Sequence, residues 1–256
     1  MKCLVVDIGN TSTAVALAAG GRIMRRRDVA GKLVDRPLAD STVRSAAGHH
    51  RPEGAILASV VPAATQVWKE ALALAVGRSP MIVSRDLKLG VGIDYPKPES
   101  IGADRLANAS GAVGRYGSPV VVADFGTALT FDVVAAGDVY VGGVIAPGLP
   151  LMTDYLAERT ALLPRIRLRG PCGRVGRSTA GAMRIGAHIG YRGIVREIVM
   201  YLEQQFGMPF KLCATGGYAR WALAGLDLPF ELNPDLTLYG LSRIFGLNES
   251  GGDRHA

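Results

Sequence analysis

The chain has 256 residues, 48% hydrophobic and 20% charged, a balance that supplies packed cores and excludes a disordered polymer. Three widely spaced cysteines, Cys3, Cys172 and Cys213, exclude a disulfide framework, and no CxxC pair or histidine cluster points to zinc. The formal charge of +7 raises the question of nucleic acid, but Lys and Arg are scattered and the densest run, Arg25-Arg26-Arg27, reads as a solvated strand or turn, while anionic small molecules also suit the balance.

The opening Met1-Lys2-Cys3-Leu4-Val5-Val6-Asp7 reaches a carboxylate too early for a signal peptide, and no apolar run approaches the length of a membrane span. A cytoplasmic, reducing setting with no membrane and no nucleic-acid partner is expected. Residues 4–8 read as a strand that runs into Asp7-Ile8-Gly9-Asn10-Thr11, a carboxylate and a glycine followed by side-chain oxygens. Residues 12–18 and 22–29, parted by the Gly20-Gly21 turn signal, complete three consecutive strands. A short strand at 55–59 follows, then a helix over 63–76 with Pro62 near its first turn, and another short strand at 81–83.

A loop stiffened by Pro96 and Pro98 leads into a helix over 104–116 that begins with Asp104 and Arg105. A carboxylate suits a helix N-terminus through capping and the macrodipole, so position alone leaves a simple cap and a chemical role both open. The second half then starts as the first did: Val120-Val121-Val122-Ala123-Asp124-Phe125-Gly126-Thr127 repeats the apolar run, the carboxylate, the glycine and the oxygen. Residues 128–134, a turn at Ala136-Gly137-Asp138, and residues 139–145 give three strands again. Strands that open each half and then alternate with helices predict two α/β domains, 1–117 and 118–247, divided near Gly117-Ser118-Pro119, with a flexible tail over 248–256.

Thr179–Phe206 reads as one long helix, dense in small residues at Gly181, Ala182, Gly186, Gly190 and Gly193. Each glycine in a helix costs up to about 1 kcal/mol relative to alanine, so the close approach of another backbone, within the chain or from a second copy, is a compensating gain. The histidines, His49, His50, His188 and His255, have no zinc spacing, and no GxSxG elbow suggests a hydrolase.

A strand that ends in Asp-x-Gly can bring backbone amides and hydroxyls to phosphate oxygens and a carboxylate to a cation or its water shell. One such loop is also an ordinary turn; two in equivalent places resemble the paired loops that close on one nucleotide in the superfamily of actin, hexokinase and the heat-shock chaperone ATPases. The more specific match is an ordered set. Tyr95-x-x-Pro98 with Gly102-Ala103-Asp104-Arg105-x-x-Asn108-Ala109 is joined by Asp7-Ile8-Gly9-Asn10-Thr11, Ser59-Val60-Val61-Pro62, Asp124-Phe125-Gly126-Thr127-Ala128, Gly142-Gly143-Val144-Ile145-Ala146-Pro147-Gly148, Thr160-Ala161-Leu162-Leu163-Pro164 and Thr215-Gly216-Gly217. Together they span nearly the whole chain and resemble the type III pantothenate kinases, the group that includes proteins named Bvg accessory factor.

The resemblance implies duplicated ribonuclease H-like domains of the actin-like ATPase superfamily, with mixed sheets flanked by helices. It implies ATP-dependent phosphorylation of pantothenate to 4′-phosphopantothenate, the first step of coenzyme A biosynthesis, in a homodimer. The ATP is implied to lie between the halves with Mg²⁺ near Asp7, held directly or through water. Asp7, Ile8, Gly9, Asn10, Thr11, Ser12, Thr13 and Thr127 would contact nucleotide phosphates, and Asp124 would hold potassium or ammonium. Tyr95, Gly102, Ala103, Asp104, Arg105 and Thr179 would surround pantothenate, with Asp104 as proton acceptor. Two positions depart from the family pattern, Ser178 in place of asparagine and Leu129 in place of a smaller residue. Two other readings stay open: a nucleotide-binding regulator without catalysis, which the intact Asp7, Asp104, Arg105 and Asp124 and the lack of a legible helix-turn-helix oppose, and a related kinase for another small alcohol.

Overall fold

The computed structural model of the chain describes residues 1–31, 34–168 and 173–249. Cys172 and the tail from residue 250, His255 included, lie outside the described residues. Three strands open the fold, β1 (Lys2–Ile8), β2 (Ser12–Ala19) and β3 (Arg22–Ala30), followed by α1 (Arg36–Ala47), β4 (Gly54–Ser59), α2 (Pro62–Val76), β5 (Met81–Ile82) and β6 (Gly92–Ile93). The first five strands form a sheet of order β3-β2-β1-β4-β5, antiparallel where the chain turns back on itself and parallel where α1 and α2 make crossovers.

Strand β1 is buried on both faces, which its unbroken Cys3-Leu4-Val5-Val6 run allows. Leu4, Val6 and Ile8 face one way and join Val43, Trp68 and Leu72 of α1 and α2 in a core. Helix α1 had no counterpart in the sequence reading, although Asp35 caps it by accepting from the Leu38 amide and Pro37 sits in its first turn. The arginine run of β3 is spent on structure. Arg25 bonds the Ser45 carbonyl, Arg26 pairs with Asp28 and Asp235, and Arg27 bonds the Ser45 hydroxyl.

Helix α3 (Ala103–Tyr116) precedes β7 (Val120–Phe125), β8 (Ala128–Ala135) and β9 (Val139–Pro147). After them come the short α4 (Leu156–Arg159), the long α5 (Thr179–Phe206), β10 (Lys211–Thr215), α6 (Ala219–Leu223), β11 (Phe230–Leu232) and α7 (Leu236–Glu249). The second sheet has the order β11-β10-β7-β8-β9-β6. Read from the other edge, β9-β8-β7-β10-β11 repeats β3-β2-β1-β4-β5, with β6 added beside β9. The duplication therefore extends to strand order, and β2 and β8 also share one burial pattern residue for residue.

By packing, the chain forms two compact units, each drawn from separate stretches. One comprises Met1–Val120, Asp132–Gly142 and Asp235–Ala256; the other comprises Val121–Phe131 and Gly143–Pro234. The expected division at 117–119 follows the duplicated pattern, whereas packing returns the C-terminal helix to the first unit. Helix α7 lies against α3 where two glycines meet: a Cβ on Gly111 would stand 2.7 Å from the Leu236 carbonyl oxygen, and one on Gly240 would strike the Ala107 carbonyl. Asn248 and Glu249, expected in the tail, are the last residues of α7, and Asn248 exchanges hydrogen bonds with the Lys88 backbone.

Candidate active site

The first Asp-x-Gly loop leaves β1 at Ile8 and enters β2 at Ser12, closed by a hydrogen bond from the Gly9 amide to the Ser12 carbonyl at 3.0 Å. A Cβ on Gly9 would lie 3.1 Å from that same oxygen, so the turn is drawn tight around glycine. Asn10, Thr11 and Ser12 are exposed at its tip, and Asp7 is half-buried. Ile8 and Thr13 differ: Ile8 belongs to the core and Thr13 is buried, so contacts from these two positions would be made through the backbone. The Ser59-Val60-Val61-Pro62 motif braces this loop from below. The Val60 amide bonds the Ile8 carbonyl, and the Ser59 hydroxyl accepts from the Val61 amide at the start of α2.

The second loop belongs to the other unit. Gly126-Thr127 joins β7 to β8, one residue fewer than Gly9-Asn10-Thr11 in the first loop, with the Gly126 amide bonded to the Ala128 carbonyl. Ser12 thus corresponds to Ala128 and the buried Thr13 to the buried Leu129, which accounts for a larger apolar side chain there. Thr127 is exposed and Asp124 half-buried. Two glycine motifs press on this loop. A Cβ on Gly148 would strike the Thr127 carbonyl, and one on Gly216, at a φ of +93°, would stand 2.5 Å from Asp124 Oδ1. The Tyr218 amide then bonds the Phe125 carbonyl at 3.0 Å, tying Thr215-Gly216-Gly217 to the strand end.

The first unit also gathers Tyr95, Gly102, Ala103, Asp104 and Arg105. Helix α3 starts after Gly102, whose ψ of 139° breaks the helical path and which offers no side-chain cap. Asp104 Oδ1 accepts from the Arg105 amide at 2.8 Å, and a Cβ on Gly102 would stand 2.5 Å from it, so glycine leaves room for the carboxylate. Burial raises the Asp104 carboxyl above its usual range, against the opposing pull of the Arg105 amide and charge.

Arg105 turns inward. Its Nε donates to Asp132 Oδ1 at 2.6 Å, and Tyr140 Oη donates to the same oxygen at 3.1 Å. The guanidinium carbon lies 5.9 Å from the Tyr140 ring centre, and the Tyr95 ring tilts against Tyr140 at 6.3 Å. Strand β6 sets Tyr95 there by pairing with β9, extended by a bond from the Asp94 amide to the Tyr140 carbonyl. Asp132 is 0% exposed; burial raises its carboxyl, with Arg105 opposing, and burial and Asp132 together raise the Tyr140 phenol. Asp132 did not stand out in the sequence. Its signal was a lone carboxylate inside the apolar run Phe131-Asp132-Val133-Val134.

Thr179, the last of the expected site residues, is exposed at the first position of α5 in the second unit. Ser178 caps that helix by accepting from the Gly181 amide at 3.1 Å, a task asparagine performs as well, so this departure from the family pattern keeps the helix start.

A family model described as type III pantothenate kinase matches residues 3–200. The chain belongs to the type III pantothenate kinase family. A relative of that name from Akkermansia muciniphila is 42% identical over 97% of this chain and 100% of its own length, and one from Acidiphilium cryptum is 40% identical over 93% and 92%. Among solved structures, a protein from Campylobacter jejuni named as a Baf family transcriptional activator has a TM-score of 0.62 at 16% identity, covering 96% of this chain and 99% of that one. A ROK family glucokinase from Streptomyces griseus, solved with glucose and AMPPNP, has a TM-score of 0.53 at 18% identity over 98% and 100%. At these identities the structural likeness speaks to fold alone, that of a mixed α/β protein with two sheets flanked by helices, as the duplicated strand pattern implied. No described helix is long and apolar enough to cross a membrane.

Proposed function

We propose that this chain transfers the γ-phosphoryl group of ATP to the primary hydroxyl of pantothenate, giving 4′-phosphopantothenate and ADP, with Asp104 as proton acceptor. The observation that carries the reading is the placement of Asp104, a half-buried carboxylate with a raised pKa, at a helix start beside the Arg105–Asp132–Tyr140 network. As the acceptor oxygen bonds to phosphorus, its O–H bond breaks and Asp104 takes the proton, while the bond to the ADP oxygen opens. Such transfers are loose, so the carboxylate chiefly orients the hydroxyl and takes the proton late. Tyr95, Gly102, Ala103, Arg105 and Thr179 are assigned to pantothenate, and Asp7 through Thr13 with Thr127 to the nucleotide phosphates.

Among the described residues no three His, Cys, Asp or Glu side chains form a metal-binding group. This suits Mg²⁺, which keeps most of its waters and needs one carboxylate with substrate phosphates, here Asp7. When bound, the ion would neutralise charge on the phosphate oxygens. Asp124 is assigned to potassium or ammonium; the missing Cβ of Gly216 leaves space at its carboxylate, and a carboxylate oxygen is a hard donor that suits such a cation.

A homodimer is part of the proposal, and α5 supports it. Among the described residues a Cβ on Gly186 or Gly193 would meet nothing within 4 Å and one on Gly190 would meet Met152 Cε at 3.7 Å, so no tight crossing among them explains these three glycines. Leu162 is 89% and Ile189 70% exposed, apolar surface that a second copy would cover. The proposed setting is cytoplasmic.

The test incubates purified protein with ATP, Mg²⁺, potassium and pantothenate and seeks 4′-phosphopantothenate by mass spectrometry. Phosphorylation of a different alcohol instead would reassign the substrate, and ATP binding without transfer would leave a regulator.

A further inference from the structure

A carboxylate inside a strand that is otherwise apolar carries a desolvation cost that pairing offsets only in part, and an apolar side chain would fill the same space more cheaply. Asp132 is therefore an unusual way to build the middle of β8. What it achieves is geometric. One oxygen, Oδ1, holds Arg105 Nε from α3 at 2.6 Å and Tyr140 Oη from β9 at 3.1 Å. The next residue back from Arg105 is Asp104, bonded through Oδ1 to the Arg105 amide. Arg105 Nη2 is buried and has no hydrogen-bond partner among the described residues, so with Nε taken by Asp132 the guanidinium keeps a donor in reserve. The Tyr140 ring in turn carries Tyr95.

We propose that Asp132 is a positioning residue for the acceptor substrate, fixing Arg105 and Tyr140 so that the spare guanidinium donor and the Tyr95 ring present one preset surface next to Asp104. The inference rests on the kinase reading above. A long arginine side chain left without this anchor samples several rotamers, and ordering it again falls on the binding step.

Asp132→Asn tests this, because it keeps the shape and one accepting oxygen but removes the charge. The expected result is a KM for pantothenate raised roughly 10- to 100-fold, the worth of a charge-assisted hydrogen bond, with the KM for ATP within about twofold of wild type. Structural damage alone would lower kcat through loss of folded enzyme and leave both KM values in place. A folded variant with an unchanged pantothenate KM overturns the proposal. In a cycle with Arg105→Lys, the double variant is expected to lose little beyond Arg105→Lys alone, since Asp132 acts through Arg105; full additivity counts against it. If Asp132→Asn does not fold, Tyr140→Phe removes a single hydroxyl from the same oxygen and is expected to raise the pantothenate KM by about three- to tenfold, again sparing ATP. No change there also overturns the role. A wild-type protein that phosphorylates some other alcohol sinks the substrate assignment, and the effect of Asp132 is then read on the KM of that acceptor.

Discussion

Gly142 holds a φ of +113° against the Tyr95 ring, where a Cβ would stand 3.2 Å from Tyr95 Cε2. Two constraints meet at one position: a backbone conformation that side chains disfavour and a ring that must give by a few tenths of an ångström to admit a methyl. Gly142→Ala must therefore distort β9 or displace Tyr95. The expected cost is about 1–3 kcal/mol, seen as a fall in Tm of a few degrees to about 10 °C. Because Tyr95 is assigned to pantothenate, the pantothenate KM should rise more than that for ATP. An unchanged Tm together with unchanged KM values would show that the ring and the strand are not coupled in this way.

Asp104→Asn separates cap from base. The amide can still accept the Arg105 backbone hydrogen bond, so the helix start survives, but it cannot take a proton. Turnover should fall by about 10²- to 10⁴-fold while ATP binding, followed by calorimetry, is retained. The ionised carboxylate is the active form, so kcat/KM should fall as pH drops through the Asp104 pKa. Burial places that acid limb above the ordinary value of 3.8. Gly102→Ala, which sets a methyl against Asp104 Oδ1, should reduce kcat in the same direction. Wild-type turnover in the Asp104 variant would remove this residue from the chemistry.

Much of the molecule was legible because local signals and tertiary demands agree. The three-strand openings, α2, α3 and the full extent of α5 were legible from apolar runs, helical spacing and Pro62, and the structure ends α5 at a left-handed Gly207. The loops at Asp7 and Asp124 were legible as a repeated pattern. What escaped depends on partners distant in sequence. Asp132 has meaning through Arg105 and Tyr140, Gly142 through Tyr95, and the close helix crossing at Gly111 and Gly240 carried no signal that the sequence reading used. Helix α7 joins the first unit from the end of the chain, a contact that no local pattern encodes.

Asp132 should also mark the pH dependence of stability. Burial, its largest influence, raises the carboxyl from 3.8 to about 7 with Arg105 opposing. A group that binds its proton more tightly when folded contributes stability that is complete below the unfolded pKa and lost as pH rises through the folded one. Wild type should therefore lose stability relative to Asp132→Asn between pH 3.8 and about 7. Asp104 shifts in the same direction, and because its charge also raises Asp132 the difference between the two proteins reads the coupled pair, led by the buried Asp132. Denaturant midpoints measured for the pair across this range check the claim; a constant gap would mean that Asp132 does not titrate there.

Gly216 offers a way to probe the proposed cation site without touching its ligand. At a φ of +93° it brings the Thr215-Gly216-Gly217 turn against Asp124, and a Cβ would stand 2.5 Å from Asp124 Oδ1 and 2.7 Å from the Phe125 backbone. Gly216→Ala cannot be absorbed by a flexible neighbour, because one side of the clash is main chain. The strained backbone costs about 1–3 kcal/mol, and the carboxylate has to move. If Asp124 organises potassium or ammonium, activity should depend on that ion, and the variant should need several times more of it, about three- to tenfold for a shift near 1 kcal/mol. Titrating potassium chloride against sodium chloride at constant ionic strength reads both effects. Equal wild-type activity in sodium alone would remove the monovalent cation from the mechanism, whereas potassium dependence with an unmoved half-saturation in Gly216→Ala would place the ion elsewhere than Asp124.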